Sequence, residues 1–117
     1  MDDKNTIGVT PRVAGVLEEL VQEGVFQDQI DAAKFAMAVA IRSGVGSGEA
    51  VGTVTKWNIG SFDRDGELRV IVSALFPQCE APYRLVEFLI DKGIDTLQDE
   101  RKTNPHLDVV QLLQRWE

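Results

Sequence analysis

At 117 residues, 44% hydrophobic and 26% charged, the chain has the make-up of one ordinary globular domain, and it holds no apolar run long enough to span a bilayer. Its net charge of −7 works against nucleic-acid binding, because Lys and Arg supply the affinity for phosphates. Residues 1–52 hold eight acids against four bases and residues 53–117 eleven against eight, so neither half is a basic module. The single cysteine, Cys79, excludes an internal disulfide and a cysteine-based metal cage. The opening Met1 to Asn5 has neither a basic leader nor an apolar stretch, so a cytoplasmic location is expected.

Thr6 to Thr10 alternates as a half-buried strand, with Ile7 and Val9 on one face and Thr6, Gly8 and Thr10 on the other. Thr10 followed by Pro11 is a helix start, since the hydroxyl can cap free amides and proline at the first helical position forfeits no hydrogen bond. The first helix should run to about Glu23. It would bury Val13, Val16, Leu17, Leu20 and Val21, turn Glu18, Glu19, Gln22 and Glu23 outward, and end at Gly24. A second helix, from about Asp28 to Ser43, is apolar over more than half its circumference through Ile30, Ala32, Ala33, Phe35, Ala36, Met37, Ala38, Val39, Ala40 and Ile41. So narrow a polar face implies burial on several sides, and a second copy of the same helix is the natural cover.

Residues 44–52 contain four glycines and read as a flexible connector between two parts of one domain. Thr53 to Ile59 is compatible with a short strand through Val54, Trp57 and Ile59, though its alternation is imperfect. Leu68, Ile71, Val72, Leu75 and Phe76 recur at helical spacing, which predicts a helix ending before Pro77; the propensities of Val70, Ile71 and Val72 keep a strand as the alternative. Pro82 opens another helix, expected to stop at Gly93, with a shorter one over Asp95 to Arg101. Thr103-Asn104-Pro105 breaks the chain. Asp108 to Trp116 then has Val109, Leu112, Leu113 and Trp116 at helical spacing.

The order strand, Pro11 start, Gly24-Val25-Phe26 turn and second helix resembles the ribbon-helix-helix fold over residues 5–44, and Glu23 to Lys34 is similar to the turn of its antitoxin-type members. The resemblance implies a homodimer or larger homo-oligomer formed by strand pairing and helix exchange, with Ile7, Val9, Phe35, Met37, Val39 and Ile41 at the interface. It also implies strand side chains that read bases in the major groove and second-helix amides near Gln27, Asp28 and Gln29 that hold a phosphate. This chain departs from that pattern. Gly8 has no side chain to read a base, and Asp28 with Asp31 places negative charge where the phosphate would sit. A fainter resemblance is to DndE-like proteins of bacterial DNA phosphorothioation systems, through a two-helix start, an Asp-Gly loop and the Gly93-Ile94 pair.

Other motifs have plainer readings. Gly44, Gly46 and Gly48 follow a helix and lack a Gly-Lys-Ser/Thr step, so they do not form a phosphate loop. Asp63-Arg64-Asp65-Gly66-Glu67 resembles the middle of a calcium loop, but its first and twelfth positions would be Ser61 and Val72, which makes an aspartate turn capping the next helix the better account. Cys79 and His106 could act together only if the fold joined them, and Trp57 and Trp116 read as core or interface anchors.

The expectation is therefore a mainly α protein of prokaryotic type with a ribbon-helix-helix-like start and a helical C-terminal part. It is a single domain needing no cofactor or metal, and it serves as a non-enzymatic interaction or regulatory protein that assembles with itself. Two alternatives stand beside it. One is a DNA-binding protein using Lys4, Thr6, Arg12, Lys34 and Arg42; the other is an acidic adaptor that binds a protein through Glu18, Glu19, Gln22 and Glu23.

Overall fold

The computed structural model describes residues 2–104 and 109–110. In chain order these form β1 (Thr6–Val9), α1 (Pro11–Gln22), α2 (Gln29–Arg42), β2 (Val54–Asn58), α3 (Ile59–Phe62), α4 (Glu67–Leu75) and α5 (Pro82–Thr103). The architecture is mainly α, as the periodicity predicts, with one two-stranded antiparallel sheet. Residues 67–75 are helix rather than strand, so spacing outweighs the β-branched run there. Of the helix expected over Asp108 to Trp116, all but Val109 and Val110 lies outside the described residues.

Local chemistry sets the N-terminal boundaries. The Thr10 hydroxyl accepts from the Val13 amide (3.3 Å) and Pro11 takes the first turn of α1. The amides of Gly24 and Val25 then close the helix by donating to Val21 and Leu20. Asp28 caps α2, its carboxylate accepting from the Asp31 amide at 2.8 Å.

One helix boundary differs from the sequence expectation. α5 does not stop at Gly93 but runs unbroken over 22 residues, absorbing the separate helix expected over Asp95 to Arg101. Gly93 is there because α2 crosses at that point: a Cβ on it would lie 1.7 Å from the Ala36 carbonyl oxygen. The alanines of α2 do bring another helix close, and that helix is α5, with which α2 shares the most extensive contact in the fold. Val86, Leu89, Ile90, Ile94 and Leu97 of α5 are buried in one core with Ala32, Ala33, Ala36, Val39 and Ala40, joined by Val13, Leu17 and Leu20 of α1.

The strand is covered from within the chain as well. β1 pairs with β2 in the register Thr6↔Asn58, Ile7↔Trp57, Gly8↔Thr55 and Val9↔Val54, which leaves Lys56 as a one-residue bulge. Gly8 admits this approach, because a Cβ there would lie 2.9 Å from the Val54 carbonyl oxygen. The connector 44–52 lies against α5, with Gly48 over the Phe88 ring and Glu49 paired to Arg84 at 3.2 Å.

Candidate interaction surface

The surfaces that the sequence offered for assembly go into this interior. Ile7, Val9, Met37 and Val39 are buried in the core of the single chain, and Phe35 and Ile41 pack against it half-buried. The Gly8 N–H is taken by the Glu87 carboxylate of α5 (2.6 Å), which also pairs with Lys4. β1 thus has β2 on one side and a buried carboxylate on a central amide.

Several of the candidate DNA contacts have partners within the chain. Lys4 is committed to Glu87, and Arg12 reaches Asp91 (3.2 Å) and Asp95 (2.9 Å) on α5. Lys34 lies over the ring of the buried Phe62, 5.4 Å from its centre. Thr6 is half-buried in β1, and Arg42 is exposed at the end of α2. The acidic face of α1 is partly neutralised too, because Arg101 pairs with Glu19 (3.3 Å) and with Glu23. Glu18 is left with Gln22 as its neighbour (3.2 Å).

Cys79 lines a cleft of about 390 Å³ between the connector and the start of α5, together with Glu49, Arg84 and Leu85. Arg84 and Glu49 satisfy each other across it, and His106 lies outside the described residues. Asp3 caps α5, accepting from the amides of Tyr83 (3.1 Å) and Arg84 (3.3 Å).

Among the described residues, α4 carries a cluster of exposed apolar side chains; Val51 and Val54 are exposed elsewhere. Val70, Ile71 and Leu75 are 67%, 50% and 52% exposed, whereas Val72 is fully buried. At 100° per residue Val70, Ile71, the exposed Ala74 and Leu75 spread over about 140° of one side of the helix, a sector that also holds the exposed Glu67 of the first turn. An apolar face of this kind normally turns to the core. Here Leu68, Val72 and Phe76 do so, and the second apolar face looks outward.

Asp63 positions this helix. It follows Phe62, which is buried against Trp57 with ring centres 5.2 Å apart. Its carboxylate accepts from the α4 amides of Leu68 (2.9 Å) and Arg69 (3.0 Å), and from the Tyr83 hydroxyl of α5 (2.8 Å). The aspartate turn read from the sequence is therefore a helix cap, and the sequence did not signal its tie to Tyr83. Burial, reinforced by the hydrogen bond to Asp63, pushes the Tyr83 hydroxyl up to about 12, so it remains a donor at any physiological pH.

No protein-family profile, curated protein or solved structure matches the chain. Among the described residues, no helix is long and apolar enough to cross a membrane.

Proposed function

We propose that the chain is a non-enzymatic interaction protein that associates reversibly with a second copy of itself through α4. The observation that carries this reading is the outward apolar face of Val70, Ile71, Ala74 and Leu75 on a helix whose other apolar side is already packed. A second copy is the favoured occupant because pairing across a two-fold axis presents the same apolar stripe from both sides, and Ala74 lets the helices approach. A nine-residue helix is ~13 Å long, so the contact is far smaller than the roughly 800 Å² per partner of a stable complex. The association is accordingly weak and concentration-dependent.

This reading keeps the self-association expected of a strand-helix-helix start and moves it to another surface. Pairing β1 with β1 of a second copy, as in ribbon-helix-helix dimers, would require the Gly8 amide to leave Glu87 or β2 to be displaced. Sedimentation equilibrium over micromolar to millimolar concentrations tests the proposal. The natural chain should move from monomer toward dimer, and Ile71→Glu, at an exposed position, should stay monomeric with its thermal transition unchanged. A natural chain that is monomeric throughout, or an Ile71→Glu chain that dimerises equally well, would overturn it.

A further inference from the structure

α4 is attached to the body far more lightly than the helix beneath it. It buries one of its nine residues, Val72, where α5 buries ten of 22. At its N-terminal end stands Gly66 with φ of +72°, and at the other Phe76 leaves helical geometry just before Pro77. A helix this short is marginal without tertiary support, so its order depends on what holds it down. That support comes from Leu68, Val72 and Phe76 against the core and, in hydrogen bonds, from Asp63. Two of the three hydrogen bonds to this carboxylate come from the first turn of α4, and the third comes from Tyr83 on the first turn of α5.

We infer that α4 is a hinged arm, with the Asp63 carboxylate as its latch and Tyr83 as the residue that fixes the latch to the body. In the docked pose the arm offers Val70, Ile71, Ala74 and Leu75. Release adds Leu68, Val72 and Phe76, so the opened arm presents apolar side chains around most of its circumference. The arm's significance for assembly rests on the self-association proposed above, whereas its hinged character does not.

Tyr83→Phe separates the two claims, since it removes one hydroxyl and leaves both amide bonds to Asp63 in place. Amide hydrogen exchange is followed at a concentration where the chain is monomeric. Exchange in residues 67–75 of the natural chain should be faster than in the buried part of α5, and Tyr83→Phe should accelerate it by about fivefold, the effect of one ordinary hydrogen bond. Equal protection of α4 and α5 in the natural chain, or unchanged exchange in residues 67–75 of the variant, would overturn the hinged arm. Where the natural chain dimerises, Tyr83→Phe should tighten the dimer severalfold by populating the opened arm. Faster exchange with no tightening would sink the link to assembly and leave the hinge standing.

Discussion

Gly93 of α5 rests on the backbone of Ala36 of α2 so closely that a methyl group built on it would sit 1.7 Å from the carbonyl oxygen and 2.3 Å from the carbonyl carbon. The obstacle is backbone, which cannot rotate away as a side chain can. Gly93→Ala would gain about 1 kcal/mol in helix propensity, but it forces apart the two helices that share most of the core. The packing term wins, and the variant should lose about 3 kcal/mol of unfolding free energy. Urea unfolding reads this directly. A midpoint at or above that of the natural chain would mean that α2 and α5 can separate without cost.

The same glycine shows where sequence pattern is ambiguous. A glycine after a run of helical spacing marks either a helix end or a helix crossing, and only the position of Ala36, 57 residues earlier, decides between them. The boundaries set by neighbours were legible: Thr10 and Pro11 open α1, Asp28 opens α2, and Leu68 to Phe76 keep helical spacing despite their β-branched residues. The apolar circumference of α2 announced burial on several sides, but it did not name α5 as the cover. The pairing of β1 with β2 joins segments about 50 residues apart through a bulge at Lys56, and no local signal encodes that register. On α4 the apolar spacing was visible, whereas which apolar side remains exposed depends on where Tyr83 and Asp63 meet.

Tyr83 gives the fold a sensitivity to alkali. Burial, and next to it the hydrogen bond to Asp63, raises the hydroxyl from 10.0 to about 12 in the folded chain. Between those values the unfolded chain releases a proton that the folded chain keeps, so the stabilisation from this group is complete below pH 10 and is lost as pH rises toward 12. Because Tyr83 is the only tyrosine, phenolate absorbance reports on it alone. Its titration should lie well above pH 10 until the chain unfolds, and the denaturant midpoint of the natural chain should fall from pH 9 to 11, a fall that Tyr83→Phe should flatten. Titration near pH 10 in the folded state would contradict the buried hydrogen bond.

Glu87 stands among apolar neighbours on α5 and is buried, with Lys4 and the Gly8 amide as its partners. Substituting it tests which partner matters more. Glu87→Leu leaves the Gly8 N–H without an acceptor in a buried place, while Lys4, at the edge, can turn its ammonium toward water. The stranded amide is therefore the larger loss, and the variant should be destabilised by about 2 kcal/mol. Glu87→Gln retains an acceptor for Gly8 and loses only the charge beside Lys4, so it should cost about 1 kcal/mol. Lys4→Met leaves the buried carboxylate with its amide bond but without a cation, which should cost at least as much as Glu87→Gln. Chemical unfolding of the three variants settles the order. If Glu87→Leu were as stable as the natural chain, the carboxylate would not be what secures β1 to α5, and the Gly8 amide would have found another acceptor.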